Sequence, residues 1–468
     1  MLMTQKPLTV CDLLLRWVLV AGTLLLPQQL LAAGRSEGQP NIIFIMVDDM
    51  GYADLGCYGS QAIKTPHIDR MAAEGVRFTD AYSGSAVCAP ARCALMTGKH
   101  TGHTSVRGNT GGIPLEESDL TIAEVLKEAG YRTGGFGKWG LGDIGTSGAP
   151  EKQGFDLFFG YYHQIHAHNY YPEYLVRNGK KVPISGDGEE GYSPYLIFKE
   201  MRAFIRENRD RPFFCYAPWT PPHGMYQIPV SDPALRLYGD LEGNAKIIAA
   251  MNSMIDAQVG EIMELLQELD IDDNTVIFFC SDNGAAERFD DVLDSSGPLR
   301  GEKGTMYEGG IRVPMIVRWP GRLNAGTTSH LPWYFPDLLP TLAAIGGAGE
   351  FVPTDVDGIS VAPTLTGDGR QAERECLYWE WPRYDWSTKT YERDGLMQAV
   401  RCGRWKMLRH RGDEPWQLYD LSRDIGEGSD IADTHPGVVE RLTSWIASNR
   451  HDPSPQNEPE MPKGKKFR

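Results

Sequence analysis

Between residues 41 and 345, the chain alternates short, continuously apolar runs with longer stretches of helical periodicity. Continuous apolar runs are typical of strands buried on both faces, and helices between them are typical of the crossovers in a parallel sheet. The predicted strands are NIIFIMV (41–47), YRTGGFG (131–137), RPFFCYAP (211–218), NTVIFFCS (274–281) and VPMIVRWP (313–320). The predicted helices cover 118–131, 193–210 and 244–270, the first with Ser118 as N-cap and Gly130 as its stop. The pattern indicates an α/β fold whose mostly parallel sheet is covered by helices.

The character of the sequence changes after residue 366. Short aromatic segments, ECLYWEW (375–381), LMQAVRCGRWKMLRH (396–410) and WQLYDL (416–421), precede a helical stretch, PGVVERLTSWIAS (436–448). They predict a small antiparallel sheet with one helix. We therefore expect a main domain over 40–366, a C-terminal subdomain over 367–450, and a mobile, Pro-rich polar tail over 451–468. Cys376 and Cys402 could pair across the small sheet, which the sequence leaves open.

The N-terminal 33 residues have the pattern of a cleavable signal peptide. Lys6 and Arg16 precede the apolar run WVLVAGTLLL (17–26), and small residues follow at Ala32 and Ala33. The run is too short for a comfortable membrane span, so we expect a periplasmic or secreted protein with no membrane anchor after cleavage. The formal net charge of −16 argues against nucleic acid as a partner, because phosphate binding needs a basic surface.

Polar residues follow the predicted strands at the point where each strand ends. Asp48 and Asp49 follow the first strand, and Asp282 and Asn283 follow NTVIFFCS. Lys138 and His223 lie beyond two other strands. The carboxyl ends of parallel strands share one edge of the sheet, where ligands of open α/β folds bind. Several oxygen ligands without sulfur or imidazole predict a hard cation; Ca²⁺ is favoured because Mg²⁺ demands stricter octahedral geometry.

The segment VCAPARCALMTG (87–98) carries two cysteines beside an arginine. A disulfide between Cys88 and Cys93 would have poor geometry over this spacing. A zinc site with His100 and His103 fits no common zinc module. The remaining interpretation is a nucleophile, Cys88, at a helix N-terminus.

This segment resembles the type I sulfatase signature Cys-x-Pro-x-Arg, followed by Thr-Gly. The segments VDDMGYADLGCYG, GKW, SDNG and GEKGTMYEGGIRVP extend the resemblance over about residues 40–345. It implies the α/β/α sandwich of the alkaline phosphatase superfamily with a smaller C-terminal antiparallel sheet. It also implies that a maturation enzyme oxidises Cys88 to formylglycine, whose hydrated form attacks sulfur and later releases sulfate.

The resemblance implies a role for each matching residue. Arg92 would orient the formylglycine, Lys138 and Lys303 would bind sulfate oxygens, and His223 would protonate the leaving alcohol with help from Lys303. The implied Ca²⁺ ligands are Asp48, Asp49, Asp282, Asn283 and the modified Cys88.

One position departs from the family pattern, since Gly140 stands in GKWGLG where the family has a histidine. Nearby, YYHQIHAHNYYPEY (161–174) offers His163, His166 and His168 as substrate-binding candidates, and we expect His166 or His168 to enter the active site.

The aromatic segments 161–174 and 378–386 suit stacking on sugar rings, so a sulfated carbohydrate is the expected substrate, with aryl sulfates as surrogates. The alternatives are a phosphodiesterase or phosphonate hydrolase of the same superfamily, and a non-catalytic glycan-binding relative.

Overall fold

The computed structural model describes residues 38–452 except 288, 290 and 386. The predicted signal peptide and residues 453–468 of the predicted tail lie outside the described residues. The strands are β1 (Asn41–Val47), β2 (Val76–Phe78), β3 (Ala81–Tyr82), β4 (Arg132–Lys138), β5 (Leu157–Tyr161), β6 (Tyr174–Arg177), β7 (Lys180–Pro183), β8 (Phe213–Pro218), β9 (Thr275–Ser281), β10 (Met315–Arg318), β11 (Thr327–Ser329), β12 (Trp333–Tyr334), β13 (Leu377–Asp385), β14 (Thr390–Cys402), β15 (Trp405–Arg409) and β16 (Gln417–Asp420).

Ten strands form one mixed sheet in the order β11-β2-β10-β9-β1-β8-β4-β5-β6-β7. The five central strands, from β9 to β5, run parallel, which confirms the predicted fold class. β10 was expected to be parallel as well, but it pairs antiparallel with β9 and β2. The physical reason is the connection between β9 and β10. The described residues of this connection include no helix long enough to return the chain to the opposite edge, so β10 starts where β9 ends.

Helices cover both faces of this sheet. They are α1 (Pro66–Ala73), α2 (Cys88–Thr97), α3 (Ile122–Glu128), α4 (Ser193–Glu207), α5 (Gly243–Glu268), α6 (Glu308–Ile311), α7 (Leu338–Ile345), α8 (Ala362–Thr366) and α9 (Pro436–Ser448). Side chains of β1 alternate between two buried clusters. Ile42 and Phe44 pack with α2, α3 and α7, whereas Ile43 and Ile45 pack with α1, α4 and α5. This alternation builds the three layers of an α/β/α sandwich.

The N-terminus of α3 corrects one prediction from the sequence. The helix begins at Ile122, and its N-cap is Thr121 rather than Ser118. The Thr121 hydroxyl accepts a hydrogen bond from the Glu124 backbone N–H, and the Glu124 carboxylate accepts one from the Thr121 N–H. This reciprocal capping box satisfies two free donors at once, which Ser118 could not do from three residues upstream. Gly130 follows the helix with φ +87°.

The C-terminal strands form a four-stranded sheet in the order β13-β14-β15-β16, with every pair antiparallel. A disulfide between Cys376 and Cys402 joins β14 to the residue before β13. The sheet is fastened to the sandwich by buried polar contacts. The Trp379 indole donates to the Ser83 carbonyl at 2.7 Å, and the Lys406 ammonium lies 2.8 Å from the Glu308 carboxylate.

The described chain continues past α9 into the segment predicted as a mobile tail. His451 donates its backbone N–H to the Gly102 carbonyl at 3.1 Å, and its ring stacks on His103. His451, although exposed, therefore contacts the sandwich at these two points. Among the described helices, none is both long enough and apolar enough to cross a bilayer.

Candidate active site

The carboxyl edge of the central strands gathers the polar residues that follow them. β1 and β9 are adjacent and in register from Asn41–Thr275 to Val47–Ser281, so Asp48 and Asp282 emerge side by side. Lys138 is the last residue of β4, and His223 follows β8. Asp49 has φ +68°, a conformation that turns the chain sharply as it leaves β1.

Asp48 is a fully buried carboxylate surrounded by cations. The Lys138 Nζ lies 2.5 Å from its Oδ2, and an Arg92 guanidinium nitrogen lies 3.4 Å from the same oxygen. Burial alone would raise the pKa of Asp48, but Lys138, His223 and Arg92 outweigh it and hold that pKa well below its ordinary value. Asp48 is therefore an anion at neutral pH.

Asp49 lies on the more open side of the same cluster. The Lys303 Nζ approaches its two oxygens at 2.6 and 2.7 Å, and the His223 Nε2 lies 3.5 Å from Oδ2. The Asn283 amide nitrogen donates to Oδ1 at 2.7 Å. Burial lowers the pKa of Lys303, but the Asp49 carboxylate outweighs it, and that pKa is raised well above its ordinary value. Burial lowers the pKa of His223, with Asp49 opposing.

The donor set of this cluster fits a hard divalent cation. Three buried carboxylates, from Asp48, Asp49 and Asp282, supply oxygens from two strand ends. The Asn283 Oδ1 is buried and accepts no hydrogen bond among the described residues, although its amide nitrogen is paired. A buried unpaired oxygen is costly unless something binds it. A cation at this point would satisfy it with the ligand type that Ca²⁺ prefers.

Cys88 is the first residue of α2, so the fold places it at a helix N-terminus. Its Sγ lies 3.3 Å from the Asp48 Oδ1, and the side chain is fully buried. The next backbone N–H, of Ala89, donates to the Asn109 Oδ1 at 3.0 Å and fixes the first turn. Burial, together with the carboxylates of Asp282 and Asp48, raises the pKa of the Cys88 thiol far above its ordinary value. A thiolate is thus strongly disfavoured here.

Arg92 lies one turn further along α2 and points back at the same carboxylates. Its guanidinium donates to the Asp282 Oδ2 at 2.8 and 3.2 Å and also to the Lys138 carbonyl. The arginine therefore ties α2 to the ends of β9 and β4. These contacts hold Cys88 in place beside the carboxylates of Asp48 and Asp282.

Cys93 lies outside this cluster. Both Cys88 and Cys93 are free cysteines, so the disulfide considered for this pair is absent from the described residues. The Cys93 Sγ lies 3.8 Å from the Ser105 hydroxyl, and burial raises the pKa of its thiol to about 12. The zinc site considered with His100 and His103 does not form around the cysteines either, because those histidines face Asp357.

The three candidate histidines of segment 161–174 have different surroundings. His168 stacks on His223, with ring centroids 4.1 Å apart and planes 16° apart. Its buried Nε2 accepts or donates no hydrogen bond within the described part of the chain. His166 instead packs against Tyr161 and Tyr174, and His163 accepts from the Ile165 N–H. The structure therefore brings His168 into contact with His223, a predicted site residue.

Three of the five tyrosines of the same segment lie in the core and are not exposed to stack on a sugar, whereas Tyr171 and Tyr174 are partly exposed. Tyr161, Tyr162 and Tyr170 are each at most 1% exposed and belong to the core. The open side of the site is a cavity of about 500 Å³ with a different lining. Tyr226, Asn244 and Glu287 line it together with Asp49, His223, Lys303 and neighbouring backbone. None of the first three was singled out from the sequence, because they follow no strand and belong to no recognised motif.

Gly140 has φ +78°, which favours glycine over a side-chain-bearing residue. A Cβ placed there would lie 3.5 Å from the Gln164 Oε1 and 3.8 Å from the Arg92 Cδ. Gln164 is buried, and its amide nitrogen donates to the Asn109 Oδ1 at 2.8 Å. The side-chain amide of Gln164 therefore lies beside Gly140, where the family has a histidine. Asn109 links this amide to the first turn of α2. The sequence did not point to Gln164, because Gly140, which lies beside it in the fold, is 24 residues earlier in the chain.

A mixed α/β sandwich with a buried cluster of carboxylates, lysines and a cysteine at its strand ends is the architecture of a hydrolase of the alkaline phosphatase type. Comparison with known proteins specifies the family. The model of the Sulfatase family matches residues 40–348, and that of the N-sulphoglucosamine sulphohydrolase C-terminal region matches residues 301–451. The chain belongs to the sulfatase family of enzymes.

Similar proteins cover nearly the whole described chain. Human arylsulfatase A is 33% identical over 88% of this chain and 88% of its own length. Human N-acetylgalactosamine-6-sulfatase is 34% identical over 86% of this chain and 77% of its own. The crystal structure of Ps i-CgsB in complex with k-i-k-neocarrahexaose has a TM-score of 0.76 and 30% identity, covering 88% of this chain and 94% of that one.

Proposed function

We propose that this sulfatase hydrolyses sulfate esters of a carbohydrate through a formylglycine made from Cys88. The observation that carries the proposal is the environment of the thiol. Cys88 lies buried against Asp48, where burial and carboxylates raise its pKa and suppress the thiolate that a cysteine nucleophile requires. We therefore infer that the residue at this helix start acts as a nucleophile after its thiol has been oxidised to the aldehyde of formylglycine.

The cation would be held by Asp48, Asp49, Asp282, Asn283 and the modified Cys88. Ca²⁺ held there would supply positive charge at the reaction centre, and the hydrated aldehyde would supply the attacking hydroxyl. Ca²⁺ is proposed over Mg²⁺ because Ca²⁺ accepts carboxylate and amide oxygens in flexible geometry, whereas Mg²⁺ demands near-ideal octahedral coordination.

The lysines and the histidine have separate proposed roles, charge stabilisation and proton donation. Lys138 and Lys303 each lie beside a carboxylate, 2.5 Å from Asp48 and 2.6 Å from Asp49, and would stabilise the negative charge of the sulfate as the ester bond breaks. His223 borders the cavity with its side chain 12% exposed, so it would donate a proton to the departing alcohol. The ring of His168 would hold the ring of His223 in place by stacking on it.

The proposed substrate is a sulfated sugar. Relatives named for N-acetylgalactosamine 6-sulfate and a structural neighbour with a bound oligosaccharide support this choice. The polar cavity lining from Tyr226, Asn244 and Glu287 suits hydroxyl groups. We also propose export to the periplasm or beyond, on the signal-peptide pattern of residues 1–33.

The decisive measurement is the mass of the tryptic peptide covering residues 78–92, from protein made with a formylglycine-generating enzyme. The expected peptide has lost sulfur and gained oxygen relative to the unmodified one. Cys88→Ala should abolish turnover of 4-nitrophenyl sulfate, and Cys93→Ala, in the same helix, should retain it. An unmodified Cys88 in fully active protein would refute the mechanism.

Two further outcomes separate the alternatives. A phosphodiesterase or phosphonate hydrolase should turn over a phosphate diester faster than a sulfate ester at equal enzyme concentration. A non-catalytic glycan-binding relative should bind sulfated oligosaccharide and Ca²⁺ in calorimetry but show no turnover of any sulfate ester. We expect measurable turnover of the sulfate ester, at a rate above that of the phosphate diester.

A further inference from the structure

Gln164 carries a buried oxygen atom that has no hydrogen-bond donor. The side chain is 4% exposed, and its Oε1 accepts no hydrogen bond from the part of the chain that the structure describes. A buried carbonyl oxygen without a donor is costly, so this atom calls for a partner that the described residues do not supply. The roles proposed above for the active-site residues make no use of Gln164.

The orientation of the Gln164 amide follows from its hydrogen bonds. The Ala89 backbone N–H can only donate, so the Asn109 atom that faces it at 3.0 Å is the carbonyl oxygen, Oδ1. The Gln164 atom that lies 2.8 Å from the same Oδ1 must then be a donor, which identifies it as Nε2. The unpaired atom is therefore the Oε1 and not the amide nitrogen.

The free oxygen faces a space beside the nucleophile position. A Cβ placed on Gly140 would lie 3.5 Å from the Gln164 Oε1 and 3.8 Å from the Arg92 Cδ, so both side chains border this space. Arg92 follows Cys88 by four residues in α2, which puts both side chains on the same face of the helix. An Arg92 nitrogen and the Cys88 Sγ also lie 3.4 and 3.3 Å from the carboxylate of Asp48. The space that Gln164 borders therefore adjoins residue 88.

The hydrated aldehyde proposed for residue 88 has two hydroxyl groups on one carbon. One of them would replace the Sγ beside Asp48, and the second would leave that carbon in another direction with a proton to donate. A buried hydroxyl without an acceptor is as costly as a buried oxygen without a donor. We propose that the Gln164 Oε1 accepts the hydrogen bond of this second hydroxyl and so stabilises the hydrate against loss of water. This role rests on the proposed formylglycine.

Oxime labelling of the full-length, matured protein tests this role. Loss of water converts the hydrate to the free aldehyde, and methoxyamine condenses with that aldehyde to give an oxime and a second molecule of water. The labelling rate of the folded protein therefore reports the aldehyde fraction without any sulfate ester. Gln164→Leu removes the acceptor and should raise this rate by about tenfold, whereas Gln164→Glu keeps acceptor oxygens and should stay within about twofold of wild type.

Gln153→Leu is the matched control. Gln153 is 3% exposed, its Oε1 is also unpaired among the described residues, and its Nε2 donates to the Ser147 carbonyl at 3.1 Å. It precedes β5, which runs parallel to β4, so it lies at the edge of the sheet opposite to the candidate site. Gln153→Leu should leave the labelling rate and the turnover of 4-nitrophenyl sulfate unchanged. Gln164→Leu should lower that turnover by about tenfold.

The mass of the tryptic peptide covering residues 78–92 gives the formylglycine and oxime content of each variant, and labelling rates are compared per formylglycine. Fully active wild type with an unmodified Cys88 would refute the proposed function itself. Formylglycine in both proteins, with equal labelling rates in wild type and Gln164→Leu, would refute only the role of Gln164. Equal thermal unfolding midpoints of Gln164→Leu and Gln153→Leu exclude a general loosening of the fold. Gln164→Met, close to glutamine in length and without an acceptor oxygen, replaces Gln164→Leu if that variant does not fold.

Discussion

Replacing His223 by alanine tests both the general acid and the substrate class. The proposed role predicts that the loss depends on the leaving group. A sugar alkoxide needs a proton as it departs, so turnover of a sulfated monosaccharide should fall by about 10²- to 10⁴-fold, the usual contribution of a positioned general acid. A nitrophenolate leaves without protonation, so turnover of 4-nitrophenyl sulfate should fall by less than about tenfold.

The structure supports attributing this loss to proton transfer. The Asp49 carboxylate keeps its contacts with Lys303 at 2.6 Å and Asn283 at 2.7 Å when His223 is absent. The Asp49 carboxylate therefore keeps an ionic partner and a hydrogen-bond donor in the variant. Lys303 is a poor replacement acid, because Asp49 raises its pKa well above the ordinary value despite burial.

The assay is kcat for both substrates in wild type, His223→Ala and a control, His330→Ala, whose exposed histidine lies outside the cavity. The expected result is a large difference between the two substrates in His223→Ala only. Equal losses on both substrates would refute the reasoning, since they would mean that His223 holds the site together rather than donating a proton.

Three further predictions concern the cation, stability and pH. Asn283→Ala should weaken Ca²⁺ binding in calorimetry, because it removes the unpaired buried oxygen; unchanged affinity would exclude this ligand. The double variant Cys376→Ala/Cys402→Ala should lose about 3.5 kcal/mol of unfolding free energy in urea, from the loop of 26 residues that the disulfide closes. Burial raises the pKa of Asp256 to about 7, so the folded state holds this proton where the unfolded state has lost it, and stability falls as pH rises from about 4 to 7. Asp256→Asn should flatten that fall and be more stable than wild type at pH 8 by up to about 4 kcal/mol; parallel stability–pH curves would contradict this.

Much of the active site could be predicted because strand ends are local features of a sequence. Asp48 and Asp282 each follow a continuous apolar run, and parallel strands bring such positions to one edge whatever their separation. The structure indeed places both in one cluster with Lys138 and Cys88.

Other contacts could not be predicted because they depend on the path of loops. His166 and His168 belong to one short turn and differ by two positions, yet only the second stacks on His223. Gln164 lies beside Gly140 because the segments that follow the paired strands β4 and β5 run side by side, with the Gly140 N–H donating to the Tyr162 carbonyl at 3.0 Å. Neither feature has a periodicity or a motif that a sequence displays.

The sequence by itself determined the alternation of strands and helices, the nucleophile segment and the residues at the strand ends, since hydrophobic periodicity and local motifs set all of these. Only the tertiary structure decided that β10 runs antiparallel, that Tyr161, Tyr162 and Tyr170 belong to the core, and that His103 meets Asp357. The physical reason is that these features depend on how loops distant in the chain pack, and packing is fixed by the shape and burial of the whole sandwich rather than by any single segment.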